Sequence, residues 1–130
     1  MDLKLYRSLM QKIPLFEELS QEEMGQLLEG AKLMRVRAGV TVIKAGVAGT
    51  AMYMLIEGRV RIERPLPGGG VTVLAEADAP SVVGEMALID DGERTATVTT
   101  ATDSVLLQIR KETFNALREQ RSPAAYKLIR

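Results

Sequence analysis

The chain has 130 residues, 17 basic and 17 acidic side chains, and a hydrophobic fraction of 46%. This composition is typical of one globular domain, and the balanced charge provides no field that would attract the chain to nucleic acid or an anionic membrane. The sequence contains no histidine and no cysteine, which excludes Ser-His-Asp and Cys-His catalysis, disulfides and zinc sites built from those residues. No apolar stretch is long enough to span a membrane or resembles a secretion signal, so we expect a cytoplasmic protein.

The first 31 residues predict a helical segment. Apolar residues recur at helical spacing before Pro14, which disfavours helix in the residue that precedes it. Ser20 followed by Glu23 is a capping-box pattern, which predicts the start of a second helix that ends near Gly30.

From residue 32 the pattern changes to short strands separated by glycines. The candidate strands are 32–37, 41–44, 51–57, 59–64, 71–77, 81–83, 95–101 and 104–109. Methionines 24, 34, 52, 54 and 86 are expected to fill the core.

Helical patterns return after the last candidate strand. One helix is predicted over 111–120, and Ser122 with Pro123 predicts the start of another that runs to residue 130. Helix, about eight short strands and helix again indicate a mainly β fold with flanking helices, a jelly-roll-like antiparallel β-roll whose N-terminal and C-terminal helices pack at its ends.

The segment 83–98 interrupts the strands with a Gly-Glu pair, a short apolar turn and then an arginine. Gly84 allows a ligand to approach the backbone, and the start of a helical turn offers unpaired N–H groups. Arg94 can bind a phosphate through two hydrogen bonds, whereas Glu85 can accept a hydrogen bond from a hydroxyl. Together these groups indicate a sugar phosphate, although an ion pair between Glu85 and Arg94 would also explain them.

This segment resembles the phosphate-binding cassette of the cyclic nucleotide-binding domain family. Val-Gly-Glu-Met-Ala-Leu at 83–88 and Arg-Thr-Ala at 94–96 match the family pattern of Phe-Gly-Glu-x-Ala-Leu, a variable turn and Arg-Ser/Thr/Ala-Ala. Residues 15–28 are similar to the N-terminal helical part of the family, and residues 38–62 are similar to its early strands. The resemblance covers nearly the whole chain and implies a single domain over 1–130, with helices in 1–31, the β-roll in 32–109 and helices in 110–130.

The resemblance also implies roles for individual residues. Glu85 would bind the ribose 2′-hydroxyl, Arg94 the cyclic phosphate, and Thr95 would place a hydroxyl beside the phosphate or the purine. Ile62 and Leu74 would form the walls of the base pocket, although each is also explained as a core residue, and Thr95 as an ordinary strand residue. The remaining ligand-contact candidates are Gly84, Met86, Ala87 and Ala96.

Some positions depart from the family pattern. Val83 replaces phenylalanine, and Glu93 replaces the proline that commonly precedes the arginine. Because Glu93 is adjacent to Arg94, we expect it to compete with phosphate for the guanidinium and to weaken binding. Further departures replace turn residues at 40, 47, 48 and 50.

The leading interpretation is a bacterial-type sensor module that binds cAMP or cGMP, with cAMP favoured, without a cofactor or metal and without catalysis. Its expected partners are the nucleotide and an effector protein or a domain outside this chain, with no direct contact to nucleic acid. An alternative is a roll without a ligand that serves protein interaction or dimerisation. Exposed apolar surface on the last helix, formed by Tyr126, Leu128 and Ile129, would favour this alternative. A second copy of the chain, paired through the C-terminal helices, is a further candidate partner.

Overall fold

The computed structural model describes residues 3–17, 19–88 and 92–120, apart from the side chains of residues 3, 15 and 120. The helix predicted over 123–130, with the apolar residues that would support dimerisation, lies outside the described residues. Residues 89–91 of the predicted turn before Arg94 also lie outside them.

In the described part of the chain, three α-helices flank the strands at places where the sequence predicts helices: α1 (Leu3–Gln11), α2 (Gln21–Glu29) and α3 (Lys111–Gln120). The predicted capping box begins α2, because Ser20 Oγ accepts a hydrogen bond from Glu23 N at 3.1 Å and Glu23 Oε1 accepts one from Ser20 N at 2.9 Å. Such reciprocal bonds satisfy two donors that a helix N-terminus otherwise leaves unpaired. Short 3₁₀ turns cover Pro14–Phe16 and Glu85–Leu88.

The strands form two antiparallel four-stranded sheets, one in the order β1-β8-β3-β6 and the other in the order β2-β7-β4-β5. They are β1 (Lys32–Val36), β2 (Thr41–Ile43), β3 (Ala51–Glu57), β4 (Arg59–Pro65), β5 (Val71–Asp78), β6 (Ser81–Val83), β7 (Thr97–Thr100) and β8 (Ser104–Arg110). The predicted antiparallel β-roll with flanking helices is therefore confirmed.

The prediction that a strand begins at Thr95 is wrong, since β7 begins at Thr97. The residues before Thr97 are held by the loop after β2 instead of by a sheet: Gly46 N donates to Arg94 O at 2.8 Å, and Arg94 N donates to Val47 O at 2.9 Å. This loop pairing separates Arg94 from the ladder and places its side chain at the end of the roll.

The core has two parts because alternate residues of β3 face opposite sides of their sheet. Met52 and Met54 are fully buried in a cluster formed with the helices. Tyr53 and Leu55 are buried in a second cluster between the two sheets. Met24, a third predicted core methionine, is buried in the first of these clusters. The molecule is therefore layered as helices, sheet and sheet.

Candidate functional site

Gly84 directly follows β6 and reverses the chain into the turn Glu85–Leu88. Its φ of 77° lies in the left-handed region, which favours glycine. Ala87 N donates to Gly84 O at 3.1 Å, and the buried Ala87 and Leu88 side chains anchor the turn. Met86 is 56% exposed on the same turn, so the expectation that it fills the core is wrong. Its neighbours already supply the apolar anchors that a four-residue turn needs.

The guanidinium of Arg94 is held by backbone carbonyls of the start of β3 and of the residue that precedes this turn. Its Nη2 donates to Ala51 O at 2.7 Å and to Gly84 O at 3.2 Å. Its Nε is buried and has no hydrogen-bond partner among the described residues. Burial lowers the pKa of Arg94, and electrostatic interaction with Tyr53 and Glu85 opposes that shift. The arginine is therefore fixed in orientation while part of its donor capacity remains unused.

Two glycines provide the space that the guanidinium occupies. A Cβ atom added to Gly49 would lie 2.5 Å from Arg94 Nε and 2.7 Å from its Cζ. A Cβ atom added to Gly84 would lie 2.9 Å from Arg94 Nη2. Sequence reasoning identified Gly84 but missed Gly49, although the departures at 47, 48 and 50 surround it.

The ion pairs found in the described part of the chain do not join Glu85 to Arg94. The alternative in which these two side chains merely neutralise each other is therefore wrong for this structure, although Glu85 is near enough to influence the pKa of Arg94. Glu93 is exposed and forms no ion pair with Arg94 either, so the two side chains do not pair in this structure, and the expected effect of Glu93 on affinity stays a prediction. Its backbone bridges to Ala48, and this pairing holds residue 93 at the loop.

An open cavity of about 180 Å³ lies beside Arg94. Its walls are the end of β2, the loop before β3, the first residues of β3 and the arginine itself. Tyr53, whose hydroxyl accepts a hydrogen bond from Gln108 Nε2 at 3.1 Å, also lines it. The cavity is small compared with the ~300–1,000 Å³ of pockets that enclose a drug-sized ligand. Its size and cationic wall fit a phosphate-sized anion, with the rest of a larger ligand extending outward.

Of the nine predicted ligand-contact residues, all of which the structure describes, Arg94 lines the cavity and the other eight do not. Gly84 accepts a hydrogen bond from the guanidinium, and Glu85 lies near enough to interact with it electrostatically. Ile62 is half-buried and packs on the cluster between the sheets. Leu74 lies at a bulge opposite Ile62 and Glu63 and is 45% exposed, so its interpretation as a core residue is wrong. Neither residue lines the cavity beside Arg94. Thr95 is exposed directly after the arginine, and Ala96 is half-buried.

The described residues contain no group of three or more His, Cys, Asp or Glu side chains that could hold a metal ion. None of the described helices combines the length and the apolar character that a membrane crossing requires.

Comparisons with known proteins identify the family of the chain. A family model described as "Cyclic nucleotide-binding domain" matches residues 33–121. The chain is 34% identical over 104 residues to the cyclic AMP receptor protein of Thermus thermophilus, covering 80% of this chain and 48% of the relative. It is 31% identical over 107 residues to a cAMP-dependent protein kinase regulatory subunit of Mycosarcoma maydis, covering 81% and 20%. The chain therefore spans less than half the length of these relatives.

Among solved structures, the cAMP-bound protein PfPKA-R superposes with a TM-score of 0.78 at 27% identity, covering 86% of this chain and 40% of that one. One of these relatives is named as a receptor protein and the other as a regulatory subunit, in keeping with a non-catalytic domain. The family match extends over most of the chain and includes both halves of the cassette. This chain belongs to the cyclic nucleotide-binding domain family.

Proposed function

We propose that the chain is a sensor module that binds cAMP without changing it chemically, and that Arg94 is the group that captures the cyclic phosphate. The observation that carries this proposal is the state of Arg94. Its guanidinium is half-buried beside a cavity, is held by two backbone carbonyls and keeps an unpartnered Nε. Charge-assisted hydrogen bonds from such a group are stronger than neutral ones, and partial exclusion of water strengthens them further.

Glu85 complements the arginine as a hydroxyl acceptor. It is half-buried on the same turn, and the ion pairs of the described chain do not include it. A carboxylate in that state can accept a hydrogen bond from a ribose hydroxyl. The pair of an anion-binding arginine and a hydroxyl-binding glutamate supports a ribose phosphate as the ligand.

The remaining contacts follow from the positions of the neighbouring residues. The backbone of Gly84, Met86 and Ala87 would donate to the phosphate, and Thr95 with Ala96 would lie beside it. Ile62 and Leu74 would contact the base only if the ligand extended from the cavity towards the sheet that contains β4 and β5. We propose cAMP over cGMP because the receptor protein and PfPKA-R are both described with cAMP.

The output of the sensor is proposed to pass through α3. Lys111 N, at the start of α3, donates to Thr50 O at 2.8 Å, and Thr50 lines the cavity. The same helix packs on α2 and on the turn Glu85–Leu88. Phosphate binding that moved the turn or the loop would therefore shift α3. The ligand can change the populations of the two arrangements only by the difference in its affinity for them. The effector would be a further domain or a separate protein.

Calorimetric titration with cAMP and with cGMP tests the proposal, using wild type, Arg94→Ala and the control Arg37→Ala. Arg37 is an exposed arginine that does not line the cavity. The expected result is binding of cAMP that is lost in Arg94→Ala and unchanged in Arg37→Ala. Equal binding by wild type and Arg94→Ala, or binding of neither nucleotide by folded wild type, would overturn the proposal. Tighter binding of cGMP would overturn the choice of nucleotide alone.

A further inference from the structure

Gly49 lies directly beside the side chain of Arg94, although the two residues are far apart in the sequence. It lies in the loop before β3, and a Cβ atom there would meet Arg94 Nε at 2.5 Å and Ala87 Cβ at 2.7 Å. Its φ is outside the left-handed region, so position 49 does not need the backbone conformation that favours glycine. Gly39 and Gly46 differ, because their φ values of 85° and 84° require glycine while nothing lies within 4 Å of their added Cβ atoms. Glycine is needed at position 49 for space and not for conformation.

The guanidinium cannot move away from position 49 without losing contacts. On its other side, a Cβ atom at Gly84 would meet Arg94 Nη2 at 2.9 Å and Ile43 Cδ1 at 2.8 Å. The carbonyls that accept from Nη2 belong to Ala51, at the start of β3, and to Gly84, directly after β6. Because these acceptors are backbone atoms in or beside strands, a side chain at position 49 would displace the guanidinium and leave the acceptors in place.

We infer that Gly49 is a positioning residue for Arg94: its missing side chain provides the space in which Nε and Cζ of the arginine lie. One consequence of this inference rests on the proposed function: Gly49 sets the affinity for the phosphate without contacting it. The position of the arginine itself can be tested without a nucleotide.

The first experiment is titration of Gly49→Ala with cAMP, beside Gly25→Ala as a matched control. Gly25 lies within α2, and a Cβ atom there would meet its nearest neighbour, Arg7 Nη2, at an ordinary 3.4 Å. We expect Gly49→Ala to weaken binding at least ~10-fold, because a displaced arginine loses about one charge-assisted hydrogen bond. Gly25→Ala should bind as wild type does. Equal affinity of Gly49→Ala and wild type would overturn the inference.

The second experiment measures the arginine directly. The Nε–H resonance of Arg94 in a ¹⁵N-labelled sample is assigned by its disappearance in Arg94→Lys. Because this Nε is buried, its proton should exchange slowly with water in wild type, and at least ~10-fold faster in Gly49→Ala. An unchanged resonance and exchange rate would overturn the inference even if cAMP binds. A changed resonance in a protein that binds neither nucleotide would uphold Gly49 as a positioning residue and overturn only the proposed function.

If Gly49→Ala fails to fold, the same measurements are made on Gly49→Ala combined with Ala87→Gly. This double variant removes the 2.7 Å contact with Ala87 Cβ but keeps the contacts with Arg94. We expect it to fold and to show the same displaced resonance, with Ala87→Gly alone keeping the wild-type one. A wild-type resonance in the double variant would overturn the inference.

Discussion

Thr100 provides a sharp test of how the strands leading to the site are joined. Its side chain is fully buried, and its Oγ1 accepts a hydrogen bond from Val40 N at 2.9 Å and donates one to Arg37 O at 2.7 Å. This hydroxyl therefore ties β7 to the connection between β1 and β2. Thr100→Val keeps the shape of the side chain and removes both bonds.

The expected cost follows from those two bonds. Each contributes roughly 0.5–1.5 kcal/mol net, and leaving a partner unpaired costs about 1–3 kcal/mol. The added methyl group offsets about 0.8 kcal/mol of this loss. We expect a net destabilisation of about 2 kcal/mol, which for a domain of this size lowers the thermal midpoint by roughly 7 °C.

Urea unfolding measured by circular dichroism, with Thr99→Val as control, tests this value. Thr99 is half-buried on the same strand, and no hydrogen bond of its side chain is found among the described residues. The two variants therefore share the chemical change but differ in the bonds lost. A difference below about 0.5 kcal/mol between them would refute the reasoning, since this is the usual size of a change without such a mechanism.

Three further predictions concern the site, an exposed ion pair and a turn. In calorimetry, Glu85→Gln should weaken binding of cAMP about 10-fold but leave binding of 2′-deoxy-cAMP unchanged, because only cAMP carries the hydroxyl that the carboxylate would accept a hydrogen bond from. Equal losses for the two ligands would contradict this role of Glu85. Arg59→Ala should leave the thermal midpoint at the wild-type value in calorimetric scans, because its ion pairs with Asp78 and Glu76 are exposed; a clear decrease would contradict that view. Gly58→Ala should destabilise by more than about 2 kcal/mol in urea unfolding, because its φ is 104° and an added Cβ would meet Asp103 O at 2.8 Å; Gly25→Ala should not.

The strands could be predicted because local rules and the final packing agree. In β3 the successive residues Met52 and Tyr53 face different core clusters, and all six residues before Glu57 have strand-forming or apolar character. The capping box at Ser20 is similarly local, since its bonds span only three positions. Element type was predictable wherever neighbouring residues alone determined it.

The site was predictable only in part because its geometry is made by residues distant in the sequence. The cassette identified Arg94 and Gly84, but no periodicity links Gly49 to either of them. The start of β7 was misplaced for the same reason: Val47 and Gly46 hold the backbone of Arg94 in a loop, which local strand propensity does not reveal. Leu74 was assigned to a pocket wall or the core by its apolar character, yet its position at a bulge of the edge strand β5 leaves it exposed.

An unpartnered buried donor is not by itself a sign of function, and Arg94 shows what must accompany it. Among the described residues, Arg7 Nε, Arg61 Nε and Ser81 Oγ are also buried without a partner. None of these three residues lines the cavity beside the cassette, whereas Arg94 does. Arg94 is also fixed by two backbone carbonyls. It lies between two glycines, and a side chain added at either of them would displace it. Burial of a charge lowers stability unless other interactions compensate for it. The proposal that Arg94 binds an anion therefore rests on the space, the fixed orientation and the adjoining cavity together, and not on the unpartnered Nε alone.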